Sequence, residues 1–98
     1  MTRKGQDTLK KMAAVIRSEY GNRKIRVEGH TDSTPIKKTK SRWASNWELS
    51  STRACAVLRG LLKENAVKST QISAIGFADQ RPVGNNQTKE GRRMNRRV

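Results

Sequence analysis

The sequence predicts a layered α+β or α/β fold, in which helices pack on a small β-sheet. Segments with helical spacing of apolar residues alternate along the chain with short segments that have the pattern of strands, and this alternation is typical of helices layered on a sheet. A length of 98 residues allows a single domain, spanning residues 1–98, with one small core. Only two strands and the start of a third are predicted, and so few strands make a poor sheet on their own.

The first predicted helix covers residues 6–20, and a short strand follows it. Apolar residues at i, i+3, i+4, i+7 and i+11 form one stripe on this helix: Leu9, Met12, Ala13, Ile16 and Tyr20. The Gly21-Asn22 pair provides a helix end and a turn. Residues 23–28 then alternate, with Ile25 and Val27 on one face, which predicts a strand with one buried face.

The second predicted helix begins with a capping box. After the strand, a polar loop runs to about residue 44, because Pro35 and several lysines disfavour regular structure. Ser45 and Glu48 then have the spacing at which both side chains satisfy backbone N–H groups of the first turn. Glu64-Asn65 ends the helix. Its inward stripe is predicted to contain Leu49, Ala56, Val57, Leu58 and Leu61.

The last third of the chain predicts a strand, a short helix and the beginning of another strand. Residues 71–77 are apolar without clean alternation, so we expect this strand to be buried on both faces. Thr88 is placed to cap a short helix that extends to Asn95. Residues 96–98 have the pattern of a strand that is just starting.

Composition excludes several classes of protein and suggests polyanionic partners. The 22 Lys and Arg residues outnumber the 8 Asp and Glu residues, for a net charge of +14, which attracts nucleic acid, anionic membrane surfaces or anionic cell-wall polymers. The single Cys55 and the single His30 exclude an internal disulfide and clustered Cys or His metal sites. We also expect no transmembrane helix, and no signal peptide in the first twenty residues, where Lys10 and Lys11 interrupt the apolar stretch.

Two functional alternatives follow from single residues. Trp43 and Trp47 stand close to the basic run at residues 37–42, and interleaved aromatic and basic residues are typical of proteins that bind single-stranded nucleic acid. A basic nucleic-acid-binding domain is therefore the alternative function, although no known nucleic-acid motif is present. A catalytic role for His30 with Asp32 and Ser50 is disfavoured, because the sequence has no nucleophile elbow.

Four segments occur in a characteristic order: residues 27–32 (Val-Glu-Gly-His-Thr-Asp), 46–54 (Asn-Trp-Glu-Leu-Ser-Ser-Thr-Arg-Ala), 75–79 (Ile-Gly-Phe-Ala-Asp) with Pro82, and 91–98 (Gly-Arg-Arg-Met-Asn-Arg-Arg-Val). Together they resemble the OmpA-like peptidoglycan-binding domain, a family that includes the C-terminal domains of outer-membrane protein A, peptidoglycan-associated lipoprotein and the flagellar stator protein MotB. The resemblance implies a β-α-β-α-β fold with a mixed sheet, non-covalent binding of peptidoglycan at meso-diaminopimelate, no catalysis, and no metal or cofactor. It also implies a location in the periplasm or cell envelope.

The chain departs from the family pattern at both ends. Family domains usually open with a strand ahead of the first helix and complete a last strand after the Asn-Arg-Arg-Val run. We therefore expect a domain that lacks its opening strand and is incomplete at both ends. A bare sheet edge should make it marginally stable or prone to self-association. The long loop from Asp32 to Asn46 resembles the stator-type branch of the family.

The resemblance assigns the ligand's two charges to Asp32 and Arg53. The free end of diaminopimelate carries an ammonium and a carboxylate on one carbon, so a binder needs an anion and a cation held close together. Asp32 follows the first strand and would take the ammonium. Arg53, seven residues after Asn46, would take the carboxylate through the guanidinium fork, which lysine cannot reproduce. The structural alternatives are a turn-forming aspartate and a solvated arginine on a helix face.

Four more residues match family positions near the same pocket. Asn46 could hydrogen-bond the ligand backbone or simply support the helix start. Leu49 could contact the aliphatic chain of the ligand or belong to the core. Thr31 could present its backbone N–H to a ligand carboxylate or hold the turn, and Arg97 matches an arginine near the site that also has a structural interpretation. Cys55, beside Arg53 in sequence, is expected to be a small buried thiol.

Overall fold

A computed structural model describes residues 3–36 and 43–98 of the chain, and it confirms an α+β fold of helices layered on a sheet. The basic run at residues 37–42, which supported the nucleic-acid alternative, lies outside the described residues. The first described element is a helix, as predicted. The elements in chain order are α1 (Arg3–Glu19), β1 (Ile25–Gly29), α2 (Asn46–Lys63), β2 (Ile72–Gly76) and α3 (Lys89–Asn95).

The sheet combines parallel and antiparallel pairing. Strands β1 and β2 are parallel, with Ile25 opposite Ile72 and Gly29 opposite Gly76. On the other edge of β1, His30 forms an antiparallel bridge with Arg97. The strand start predicted at residues 96–98 is therefore present only as one isolated antiparallel bridge beside a two-stranded parallel sheet, and this bridge is the sole antiparallel pairing to β1 in the described residues.

Only one face of β2 is covered, so the prediction that it is buried on both faces is wrong. Its residues alternate between partly buried and exposed, with Ser73 and Ile75 exposed. The covered face packs against α2. No second layer covers the other face within residues 3–36 and 43–98.

The core lies between α1, α2 and the covered face of the sheet. The stripe predicted on α1 is only partly buried, because Met12 lies on an open flank and Tyr20 follows the helix end; both are exposed. On α2 the buried stripe is centred on Ser50, Ala54 and Leu61 rather than on Leu49 and Ala56. The buried core residues are Leu9, Ala13, Ile16, Val27, Ala54, Leu61 and Ala66, with Val57 and Leu58 packed partly against them.

Both predicted helix caps are confirmed. At the start of α2, the Ser45 hydroxyl accepts a hydrogen bond from the Trp47 backbone N–H at 3.2 Å and donates to the Glu48 carboxylate. At the start of α3, the Thr88 hydroxyl accepts from the Gly91 backbone N–H at 2.9 Å. Each cap satisfies a backbone donor that the helix itself leaves unpaired.

A pair of glycines lets α2 lie directly on the carboxyl ends of both strands. A Cβ atom at Gly29 would lie 2.1 Å from the Ser50 carbonyl oxygen, and one at Gly76 would lie 2.3 Å from the Ser51 hydroxyl oxygen. The two glycines are partners in the strand register. Since neither has a side chain, the first turns of α2 approach the loop that follows β1, and this approach builds the candidate site.

An open groove lies beside β1, on the edge away from β2. Its volume is about 650 Å³ and its lining is mostly apolar. Alternate residues of a strand direct their backbone groups to opposite edges. The backbone groups of Ile25 and Gly29 form hydrogen bonds on the β2 side, and those of His30 bond Arg97 on the other side. By this alternation, Arg26 and Glu28 direct their backbone groups into the groove. In the described part of the chain, no strand pairs with that edge.

Candidate ligand-binding site

In the loop after β1, the Asp32 side chain is held through both of its carboxylate oxygens. One of its oxygens, Oδ2, accepts a hydrogen bond from Arg96 Nη1 at 2.6 Å, and Oδ1 accepts from the Thr34 backbone N–H at 2.9 Å. The Asp32 side chain is buried, because the residue is only 7% exposed. The hydrogen bond from the Thr34 backbone N–H, two residues on, forms the kind of turn that aspartate side chains commonly stabilise. A turn-forming role and a binding role are therefore compatible in this one residue.

These contacts keep the Asp32 carboxyl ionised. Burial by itself would raise the pKa of Asp32, but the hydrogen bonds from Arg96 and Thr34, together with the Arg96 charge, outweigh it and hold the pKa below its ordinary value of 3.8. The negative charge is therefore present at neutral pH, in a site largely shielded from water.

Asn46 and Thr31 lie against the same loop. The Asn46 side-chain amide, at the first residue of α2, donates to the Thr34 carbonyl at 3.1 Å and to the Asp32 carbonyl at 3.5 Å. For the Thr31 backbone N–H, which could face a ligand or hold the turn, the structure shows the second: it donates to the Ala78 carbonyl at 2.8 Å. Asp32, Asn46 and Thr31 are therefore brought together, and the last two hold the loop in place.

Arg53 extends the same face of α2 towards solvent. It follows Asn46 by seven residues and Ser50 by three, so helix geometry places all three on one side. Its side chain is exposed, and among residues 3–36 and 43–98 it has no acidic partner or hydrogen bond. Leu49, half-buried, lies one turn earlier on the adjoining strip of the helix. The site thus offers a buried carboxylate and an uncommitted guanidinium.

Arg97 has the structural role that was one of its two sequence-based interpretations, and the neighbouring Arg96 is the arginine that contacts Asp32. The Arg97 main chain forms the bridge to His30, and its guanidinium donates to the Arg81 carbonyl at 3.0 Å. It is the neighbouring Arg96 that bonds Asp32. The sequence analysis missed the role of Arg96. The predicted strand start at residues 96–98 contained a signal for it, because alternate residues of an extended segment face opposite ways and Arg96 and Arg97 therefore point in different directions.

Ser50 is a second residue whose structural role the sequence analysis missed. Its hydroxyl accepts from the Ala78 backbone N–H at 3.0 Å and donates to the Trp47 carbonyl at 3.2 Å. Ala78 has a φ of 52°, a left-handed conformation that is unusual for a residue with a side chain. Fully buried Ser50 thus fixes the turn after β2 against α2.

His30 and Cys55 contribute no catalytic arrangement. His30 is buried, stacks on the Phe77 ring at a centroid distance of 5.2 Å, and lies 3.3 Å from the Glu28 carboxylate through Nε2. The hydroxyl of Ser50 is bonded elsewhere. Cys55 is exposed, so the prediction of a buried thiol is wrong: it lies on the outer face of α2, next to buried Ala54.

The described residues contain no group of three or more His, Cys, Asp or Glu side chains placed to hold a metal ion. None of their helices is both long and apolar enough to cross a membrane.

The elements define a small α+β domain of helices layered on a sheet, and comparison with known proteins gives its family. The OmpA family matches residues 1–96. The chain therefore belongs to the OmpA family, the OmpA-like peptidoglycan-binding domains.

Three similar proteins illustrate the match. The chain is 46% identical over 81 residues to outer membrane protein Omp38 of Acinetobacter baumannii, covering 83% of this chain and 21% of that protein. It superposes on the C-terminal domain of Helicobacter pylori MotB with a TM-score of 0.89 and 28% identity, covering 99% of this chain and 71% of that one. On the cell wall anchor of the T6SS from Pseudomonas aeruginosa the TM-score is 0.83, with 33% identity and coverage of 98% and 64%. The chain spans between 21% and 38% of the length of the first curated relatives that it matches.

Proposed function

We propose that this domain anchors its protein to the bacterial cell wall by binding the diaminopimelate of the peptidoglycan stem peptide. Asp32 takes the ligand's ammonium and Arg53 its carboxylate. Asn46 and Thr31 hold the Asp32 loop, and Leu49 contacts the aliphatic chain of the ligand. Membership of the OmpA family supports peptidoglycan as the partner and the cell envelope as the location.

The observation that carries this proposal is the pairing of an ionised, buried carboxylate with an uncommitted guanidinium. Asp32 is held below its ordinary pKa and fixed through both oxygens, so it presents a charge of fixed position. Arg53 has no acidic partner among residues 3–36 and 43–98, so it has no internal contact to break when a carboxylate binds. A carboxylate held in position and an available guanidinium are complementary to the two charges of a zwitterion.

The test measures binding of the purified domain to cell-wall sacculi, with free diaminopimelate as competitor. Asp32→Ala and Arg53→Ala should each weaken binding by roughly 30-fold or more, because each leaves one ligand charge unpaired in a partly desolvated site. Arg53→Lys should also bind poorly, since it loses the two-bond fork.

Arg59→Ala is the matched control, because Arg59 is an exposed arginine of α2 that lies about 120° around the helix axis from Arg53. It should bind sacculi like the wild type. Equal binding by the wild type, Asp32→Ala and Arg53→Ala would refute the site, and failure of diaminopimelate to compete would refute the ligand.

We also propose that the open edge of β1 mediates self-association. The backbone groups of Arg26 and Glu28 point into an apolar groove beside an unpaired edge, and such edges recruit strands from other chains. None of the protein's relatives described above supports the nucleic-acid alternative, so we do not propose it.

A further inference from the structure

The loop that carries Asp32 is closed into a ring of contacts. Asp32 bonds Arg96, and Arg96 follows Asn95 in the chain. The Asn95 amide donates to Asn86 Oδ1 at 2.8 Å, and the same oxygen accepts from the Ser33 backbone N–H at 3.3 Å. Ser33 follows Asp32, which closes the ring. The side-chain oxygen of Asn86 therefore joins the two sides of the ring.

One side of this ring is rigid because Asn95 has a complete set of partners. Asn95 is fully buried. Its Oδ1 accepts from the backbone N–H groups of Val83 at 2.8 Å and Gly84 at 2.7 Å, and its Nδ2 donates to the Gly84 carbonyl at 3.0 Å as well as to Asn86. All four hydrogen-bonding positions of the amide are used. The position from which Arg96 extends is thereby fixed.

The other side of the ring depends on the Asn86 side chain. Ser33 is exposed, and its N–H is the point at which the loop after β1 meets Asn86. The Asn86 backbone is held separately, because its carbonyl accepts from Arg92 Nη1 at 2.9 Å. Removing the side chain therefore opens the ring at Ser33 and at Asn95, while the backbone contact of Asn86 remains.

We propose that Asn86 is a positioning residue for ligand binding, which acts through Asp32. By holding the Ser33 backbone N–H, Asn86 keeps the Asp32 carboxylate in the orientation in which it can contact both Arg96 and the ligand ammonium. This proposal rests on the proposed function, since the ligand is the zwitterionic end of diaminopimelate. Asn86 itself does not touch the ligand.

The test compares three variants in calorimetric titration with a diaminopimelate-containing stem peptide. Asn86→Ala removes the oxygen that accepts from both Ser33 and Asn95, and it should bind about fivefold more weakly, which is the order expected when one of these bonds, that to the Asp32 loop, is felt at the ligand. Asn86→Asp keeps the accepting oxygen, so it should retain binding and the Ser33 amide proton shift in NMR spectra. Asn85→Ala is the matched control, because Asn85 Oδ1 accepts only the local Gln87 N–H at 2.8 Å, and it should behave as the wild type.

A second measurement needs no ligand. Titration of the Asp32 carboxyl by NMR should show a higher pKa in Asn86→Ala than in the wild type or Asn85→Ala, because a released loop loosens the contact with Arg96. If the wild type binds no stem peptide, the proposed function fails, and this titration alone decides the role of Asn86. Wild-type binding together with an unchanged Asp32 pKa in Asn86→Ala would overturn the proposal. So would an equal loss of affinity in Asn85→Ala, since general loosening of the loop would then explain both variants.

Discussion

Asp32 shows how a single residue combines structure and recognition. Its pKa is lowered, so its ionised form stabilises the folded state more than the protonated form does. The same hydrogen bonds that lower the pKa also orient the carboxylate towards a ligand. A change at Arg96 should therefore affect stability and binding together, and the two effects can be separated by pH.

Arg96→Ala should remove part of the acid sensitivity of the fold. In the wild type, the stabilisation from Asp32 is fully present above its unfolded pKa, near 3.8, and is lost as pH falls through the lower folded pKa. Without Arg96, the domain should lose about 1–2 kcal/mol at neutral pH, because a charged hydrogen bond to a half-exposed partner disappears. Stability should then fall less steeply between pH 5 and pH 3.

Denaturant unfolding at several pH values measures both effects. Arg93→Ala is the control, since Arg93 is exposed and pairs only distantly with Glu90, at 3.8 Å, and it should change stability little. A pH profile of Arg96→Ala that runs parallel to the wild-type profile would show that Asp32 does not depend on Arg96.

At the scale of elements, the approach of α2 to the strand ends decides whether the site forms. Gly29 and Gly76 are the condition for that approach. The family resemblance included the segment that contains Gly29. It did not show why a glycine is required there, because that requirement comes from the packing of β1 against α2, which are distant in sequence.

Gly29→Ala should destabilise the domain by about 1–3 kcal/mol, because the new Cβ atom meets the Ser50 backbone oxygen, which cannot rotate away. A loss of this size lowers the melting temperature by roughly 10 °C in a domain of this length. Gly21→Ala is the matched control, since its Cβ atom would be 3.3 Å from the nearest atom, the Arg17 carbonyl oxygen. Similar melting temperatures for both variants would mean that α2 shifts to accommodate the methyl group.

Short-range sequence patterns predicted the helices and strands better than they predicted which side chains are buried. Both caps and the order of helices and strands followed from short-range patterns, such as the pairing of Ser45 with Glu48. The burial of Asp32, the exposure of Cys55 and the choice of Arg96 over Arg97 depend on contacts across the chain. Asp32 and Arg96 are 64 residues apart, and no spacing rule in a single sequence specifies such a pair.

For the whole molecule, the net charge of +14 predicts weak and unspecific binding to DNA. Its affinity should fall steeply with rising salt, because phosphate contacts release counterions. Binding to diaminopimelate should fall less, since its charges meet in a partly buried site. Fluorescence anisotropy with DNA of mixed sequence, in a salt series, measures the slope. A sequence-selective complex that persists at high salt would restore the nucleic-acid alternative.

The last prediction concerns the groove beside β1. Its apolar lining and unpaired edge favour association between chains, while the net charge opposes it at low salt. Sedimentation at moderate salt should therefore show association that increases with protein concentration. Met12→Lys places a charge in the groove, and should leave the domain monomeric and folded, because Met12 is already 42% exposed. Val15→Lys changes a residue of α1 that is 48% exposed and outside the groove lining, and should associate like the wild type. A wild type that stays monomeric throughout, or equal association of both variants, would show that this edge does not recruit a partner strand.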